Sequence, residues 1–120
     1  MDREEFEKTV ISAIESVPDE FRKKIYNLDF VIDEHNIISH EDSKSGKSGK
    51  ITLALYQGVP LTKRAGARPV FPDKITIYKK AIESVSRNDS EVKKTIKRVV
   101  LHELGHYFGL GENKLRVLGY

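Results

Sequence analysis

The chain of 120 residues is long enough for one modest hydrophobic core, so we predict a single domain over residues 1–120. It contains no cysteine, which excludes disulfide bonds and thiolate metal sites and favours a cytoplasmic location. The net charge of +3 is mild, and no apolar run reaches the length of a signal peptide or a membrane span, so we expect no nucleic-acid and no membrane partner.

The N-terminal quarter is predicted to hold two helices and a strand. A capping box beginning at Asp2 precedes apolar residues at helical spacing, and this helix should end before Pro18. A short second helix should begin at Pro18, with Phe21 and Ile25 on its buried side. Residues 28–34 alternate between apolar and polar types, which predicts a strand with one better-buried face.

The middle of the chain is predicted to contain loops and short strands. Residues 39–50 are rich in Ser, Gly and Lys and are predicted to form a loop. Residues 51–56 predict a second strand, whose common face carries Ile51, Leu53 and Leu55. Residues 57–73 form a long connection that could wall a cleft and contact a substrate carboxylate or an oxyanion through Lys63, Arg64 and Arg68. Residues 74–78 predict a third strand.

The C-terminal part is predicted to be mostly helical. Residues 79–85 suggest a helical turn, and Asn88 can cap a long helix whose inward face carries Val92, Ile96 and Val99. A short last helix should close the core with Leu115, Val117 and Leu118. Because helices and short strands alternate irregularly, we expect an α+β fold, with a small mixed sheet backed by helices and the long helix near the C-terminus.

That long helix carries the most informative motif of the chain, His102-Glu103-Leu104-Gly105-His106. Positions i and i+4 of a helix share a face, so His102 and His106 can offer two imidazoles to one metal ion. Glu103 is then placed to act on a metal-bound water, the division of labour found in zinc peptidases. The plain alternative is two core histidines and a glutamate that are satisfied by local hydrogen bonds.

A catalytic zinc ion (Zn²⁺) usually takes three protein ligands and keeps a fourth position for water. Beyond His106 the only carboxylate is Glu112, and Gly109 between them could end the helix in a left-handed turn that swings Glu112 back. Glu112 is therefore the predicted third ligand, although it could instead be a first-turn acid of the last helix. His35 and His40 are upstream competitors whose spacing does not link them to the helix.

Residues 102–112 resemble the pattern His-Glu-x-x-His-x-x-Gly-x-x-Asp/Glu of the small bacterial zincin-like metallopeptidases, also called minimal zincins. The likeness extends over essentially the whole chain, including residues 6–21, 55–62, 72–78 and 115–120. One departure is that only Glu112 is acidic after the second glycine, where family members often carry an aspartate-rich run. The resemblance implies a zincin-like fold, zinc on His102, His106 and Glu112, Glu103 as the base, and a substrate lying along an edge strand near residues 53–57.

The leading functional hypothesis is hydrolysis of a peptide bond in a peptide or protein substrate. Glu103 would take a proton from the zinc-bound water and later donate one to the leaving amine. The oxyanion would need a second electrophile, for which the sequence offers Tyr78, Tyr107, Tyr120 and Arg64 without ranking them.

Two other hypotheses remain open at this point. One is a metal-holding module that binds peptides or proteins with little or no catalysis. The other is a metal-dependent nuclease, because the motif resembles that of one bacterial endoribonuclease family, which spaces three histidines along a comparable helix and turn. The basic helix face of Lys93, Lys94, Lys97 and Arg98 would then contact nucleic acid. Glu103 next to the first histidine, and Glu112 in place of a third histidine, favour peptidase chemistry. We treat the chain as a monomer, since the sequence does not indicate an oligomeric state.

Overall fold

The computed structural model describes residues 1–42, 47–63 and 72–120. The helices in these ranges are α1 (Arg3–Glu15), α2 (Asp19–Arg22), α3 (Lys79–Ser84), α4 (Asp89–Tyr107) and α5 (Glu112–Val117), with a 3-10 turn at Leu61–Lys63. The strands are β1 (Leu28–Asp33), β2 (Ser39–Asp42), β3 (Lys47–Ile51), β4 (Ala54–Gln57) and β5 (Asp73–Tyr78). Within the described ranges, no helix combines the length and the apolar character that crossing a membrane requires.

Three of the strands form a small mixed sheet in the order β1-β5-β4. The central strand β5 runs parallel to β1 and antiparallel to β4, with Phe30 opposite Ile75 and Tyr56 opposite Ile75 from the other side. All residues of β5 except Lys74 are buried, as expected for a strand with neighbours on both sides. The predicted α+β fold with a mixed sheet is confirmed, and β4 lies at an edge of this sheet.

Helices α1 and α4 pack on each other and cover the sheet. The core contains Phe6 and Val10 from α1, Ile96 from α4, and Ile75 and Ile77 from β5. Capping fixes where both helices begin, because Asp2 accepts a hydrogen bond from the Glu5 backbone and Asn88 accepts one from the Glu91 backbone. The predicted inward face of α4 is confirmed, since its three residues are buried: Val92, Ile96 and Val99.

The prediction of a loop over residues 39–50 is wrong. Strands β2 and β3 pair there in antiparallel fashion, with Ser39 opposite Ile51. Beyond the pair, the Thr52 N–H donates to the Ile38 carbonyl at 2.8 Å. Such pairing rests on backbone hydrogen bonds, which any residue type can make, so a segment rich in Ser, Gly and Lys gives no apolar alternation to reveal it.

One predicted strand and two predicted buried positions also need correction. The strand predicted over residues 51–56 is interrupted before Ala54, and Leu55 is 39% exposed while Ala54 and Tyr56 face inward. Phe21 is 41% exposed, although its ring lies 5.7 Å from that of Phe108. In α5 only Leu115 is buried, whereas the other two residues predicted to close the core are exposed, Val117 and Leu118.

Candidate metal centre

The site is built on the C-terminal half of α4. This helix is held in the core by Val100, Leu104 and Tyr107, which are buried. His102 and His106 lie one helical turn apart on the remaining face, and their side chains are 26% and 25% exposed. Two imidazoles that point to a partly open surface from a rigid helix are available to a ligand from solvent.

The end of α4 turns the chain back toward the two histidines. Gly109 adopts a left-handed conformation with φ of 93°. The Gly109 N–H donates to the His106 carbonyl and the Leu110 N–H donates to the Gly105 carbonyl, both at 2.9 Å. These two bonds form a Schellman motif, so the predicted glycine turn after the helix is confirmed. The following residues lead directly into α5, whose first residue is Glu112.

Helix α5 packs against α4 at Gly105. A Cβ atom at Gly105 would lie 2.2 Å from Cδ2 of Leu115, which is 1% exposed. A glycine inside this helix is therefore explained by the close approach of Leu115. This contact places α5 against α4, and Glu112 is the first residue of α5.

The Glu112 carboxylate meets both imidazoles. Its Oε1 lies 2.8 Å from Nε2 of His106 and 3.2 Å from Nε2 of His102, and the two Nε2 atoms are 3.2 Å apart. One ligand atom from each of the three side chains lies within 4.8 Å of the others. Among the residues that the structure describes, no other cluster of three His, Asp or Glu side chains could hold a metal ion.

Main-chain oxygens fix the orientation of both rings. Nδ1 of His102 lies 3.0 Å from the oxygen of Tyr120, and Nδ1 of His106 lies 3.2 Å from the oxygen of Leu110. A main-chain oxygen can only accept, so Nδ1 is the donor in each contact, which leaves Nε2 of each ring as the nitrogen that a metal could bind. Two imidazole nitrogens and a carboxylate oxygen thus converge on one point. A divalent cation could bind there, and the imidazole–carboxylate donor set suits zinc.

Glu103 faces a different partner. Its Oε2 accepts the Tyr56 backbone N–H at 2.9 Å, which links α4 to the edge strand β4. Burial raises the pKa of the Glu103 carboxyl, against the opposing effects of His106, the Tyr56 N–H and His102. For Glu112, partial burial is outweighed by the hydrogen bond and charge of His102, so the pKa of that carboxyl is lowered. The pKa values of the two carboxyl groups are thus shifted in opposite directions, one upward and one downward.

Comparison with known proteins agrees with this geometry. The family model of the zincin-like metallopeptidases matches residues 25–120. The chain belongs to this family. A search of curated proteins found no match. Members of a metallopeptidase family hold a metal, usually zinc, and the cluster of His102, His106 and Glu112 could bind one here.

The other predicted candidates of this zincin-like metallopeptidase lie apart from the cluster or outside the described residues. His35 is exposed, its backbone N–H donates to Asp33 at 3.0 Å, and it is not part of the cluster. The His40 side chain is outside the described part of the chain, as are Arg64 and Arg68. The roles of His102, His106 and Glu112 as ligands, and of Glu103 as base, stay predictions.

The tyrosines suggested for the oxyanion differ in availability. Tyr107 is fully buried, and its hydroxyl accepts the Tyr26 N–H at 3.0 Å and donates to the Tyr26 carbonyl at 2.9 Å. Its hydroxyl therefore fixes the chain between α2 and β1 and is engaged there instead of at an oxyanion. Tyr78 is also buried, with 6% exposed, whereas Tyr120 is 47% exposed and supplies its main-chain oxygen to His102.

Sequence reasoning missed the groups that orient the site. These are the N–H of Tyr56 and the main-chain oxygens of Leu110 and Tyr120. Because every residue type carries a main-chain oxygen, and all but proline an N–H, no sequence signal marks the positions that supply them.

Proposed function

We propose that this zincin-like metallopeptidase is a zinc-dependent hydrolase of peptide bonds, with His102, His106 and Glu112 as metal ligands and Glu103 as the general base. The observation that carries the proposal is the convergence of two Nε2 atoms on one carboxylate oxygen, beside the partly buried Glu103 carboxyl on the same helix as the histidines. The substrate class, a peptide or protein, is part of the proposal.

Each side chain has one task in this scheme. His102, His106 and Glu112 would hold zinc and leave a coordination position open to solvent. Zinc in such a site supplies an acidified water and a Lewis acid for a carbonyl. Glu103 accepts the proton of the attacking water and passes it to the leaving amine, for which a raised pKa is favourable. The bond from the Tyr56 N–H fixes one oxygen of Glu103 and leaves the other free to move the proton.

The substrate is proposed to lie along β4 as an added strand. The Tyr78 N–H donates to the Leu53 carbonyl, so Leu55 and Gln57 turn their polar backbone groups toward β5. Ala54 and Tyr56 then turn theirs to the open edge, which agrees with the bond from Tyr56 to Glu103. An extended peptide that pairs with this edge would pass beside the base.

The experiment compares zinc-loaded wild type with zinc-loaded Glu103→Gln on a diverse peptide library, with zinc content measured on both. Gln keeps an oxygen that accepts the Tyr56 N–H but cannot take a proton. We expect equal zinc content and a loss of turnover of at least about 100-fold in the variant, the size of general-base effects. Turnover retained in Glu103→Gln would refute the base assignment.

The alternative is a metal-holding module that binds peptides without cleaving them. The same experiment separates the two functions, because the module would bind zinc and library peptides while wild type and Glu103→Gln show the same absence of product.

A further inference from the structure

We propose that the cleft beside His106 binds a substrate carboxylate, with Lys63 as its cation, so that peptides with an acidic group next to the scissile bond are preferred. This inference rests on the proposed peptidase function and adds a substrate class to it. The carboxylate can come from an Asp or Glu side chain or from the C-terminus of the substrate, and the test below distinguishes these sources.

The cleft opens directly onto the candidate metal centre. It has a volume of about 300 Å³, and its walls include Tyr56, Pro60, Thr62, Lys63, His106 and Gly109. Tyr56 belongs to the edge strand along which the substrate is proposed to lie, and His106 is a proposed ligand. A side chain that leaves a bound peptide next to the metal would therefore enter this cleft.

Two contacts fix the backbone that carries Lys63. The Lys63 N–H donates to the Pro60 carbonyl at 2.9 Å, which closes the 3-10 turn. Thr62 fills the space beside Gly109, where an added Cβ would lie 2.3 Å from Oγ1 of Thr62. The turn is thus seated on the end of α4, and Lys63 is held at the rim of the cleft.

Among the described residues that line the cleft, Lys63 carries a positive charge and none is Asp or Glu. Two nearby carboxylates are already engaged, Glu112 with His106 and Asp73 with the Tyr56 hydroxyl. Lys63 is exposed and, among the described residues, forms no ion pair, whereas Lys79 and Lys93 each pair with a glutamate. A bound zinc ion would add positive charge at the His106 end. The positive charges of Lys63 and of a bound zinc ion would therefore attract a carboxylate into this cleft and repel a second ammonium group.

An exposed lysine is often present for solubility alone, so the test must show selectivity. An ion pair at a partly open surface gives a preference of about two- to fivefold. Zinc-loaded wild type is assayed on peptides in which Glu, Gln or Lys is placed in turn at each position around the scissile bond, each with a free or an amidated C-terminus. Binding of the same peptides to zinc-loaded Glu103→Gln, followed by fluorescence anisotropy, gives a readout that does not need cleavage.

We expect one substrate position at which Glu is favoured over Gln by about two- to fivefold, both in kcat/KM and in Kd. The preference should disappear in Lys63→Met and reverse toward Lys in Lys63→Glu. Lys97→Glu is the matched control, because Lys97 lines a different groove beside Phe21 and Leu101. An advantage that follows the free C-terminus instead of the Glu side chain would identify the chain end as the source of the carboxylate.

Failure of the inference is distinguishable from failure of the peptidase function. Cleavage with equal rates for Glu and Gln, or unchanged selectivity in Lys63→Glu, overturns the inference alone. Selective binding that depends on Lys63 without cleavage by wild type supports the inference and overturns the hydrolysis. Zinc-loaded protein that neither binds nor cleaves any of the peptides overturns both.

Discussion

The Glu103 carboxylate accepts the backbone N–H of Tyr56 at 2.9 Å, so the proposed base is attached to the edge strand of the sheet. Helix α4 carries the proposed base and both histidines, and β4 is the edge along which an extended peptide is proposed to lie. One hydrogen bond thus links the proposed base to that edge strand. The ionisation of Glu103 should therefore affect the stability of the fold as well as the proposed reaction.

The first prediction concerns pH and the zinc-free protein. Burial raises the pKa of Glu103 in the folded state above its unfolded value. The stability that the protonated carboxyl contributes is then present below the unfolded pKa and is lost as the pH rises through the folded pKa. Zinc-free Glu103→Gln lacks this titration, so its free energy of unfolding relative to wild type should increase between acidic and neutral pH.

The measurement is denaturant unfolding of both proteins at a series of pH values in the presence of a chelator. Glu7→Gln is the control, because Glu7 lies on the exposed part of α1 and pairs with Arg3. A difference between wild type and Glu103→Gln that stays constant with pH would contradict the raised pKa. Adding zinc should reduce the pH dependence of this difference between wild type and Glu103→Gln, since a nearby cation favours the carboxylate form of Glu103.

The second prediction tests how Gly105 positions Glu112. Gly105→Ala introduces a Cβ at 2.2 Å from Leu115, and overpacking of this kind costs about 1–3 kcal/mol, partly offset by about 1 kcal/mol of helix propensity. The decisive expectation is weaker zinc binding, measured by calorimetry, because α5 moves with Leu115. Gly111→Ala is the control, since nothing lies within 4 Å of a Cβ there.

A rescue experiment distinguishes displacement of α5 from general damage. The double variant Gly105→Ala, Leu115→Ala removes the clash, so its zinc affinity should recover although its stability falls further. Zinc affinity equal to wild type in Gly105→Ala alone would show that the position of α5 does not control the ligand Glu112.

The third prediction separates Tyr107 from the chemistry. Tyr107→Phe leaves the backbone N–H and carbonyl of Tyr26 without their hydroxyl partner, which should cost about 1–3 kcal/mol of stability. Tyr26→Phe removes the same chemical group from a side chain that is 59% exposed and should change stability little. Turnover lost in Tyr107→Phe below its melting temperature, with stability unchanged, would instead indicate a role at the oxyanion.

The helices and the histidine pair were predictable because their signals are local. Asn88 and the apolar spacing up to Val99 define α4, and a separation of four residues places His102 and His106 on one face. Gly109 also signals its left-handed turn through residue type alone. These features depend on neighbours within a few positions of the chain, which a sequence displays directly.

The strand faces and the orienting groups depend on distant parts of the chain. Leu55 is exposed because the inward positions of β4 are Ala54 and Tyr56, one residue away from those that the apolar pattern indicates. Tyr56 faces inward because its ring meets that of Tyr107 at 6.0 Å and its hydroxyl donates to Asp73. Neither partner is near in sequence, so local alternation cannot give the register.

The last prediction concerns zinc and thermal stability. A metal that binds only the folded chain stabilises it by mass action, by about 2.7 kcal/mol at a free concentration of 100 times Kd. For a chain of this length that corresponds to a rise in Tm of about 10 °C. Zinc should produce this rise in wild type and not in His102→Ala or Glu112→Ala, as followed by circular dichroism. His35→Ala should behave as wild type because His35 is outside the cluster. A full rise in Glu112→Ala would show that a residue other than Glu112 completes the site.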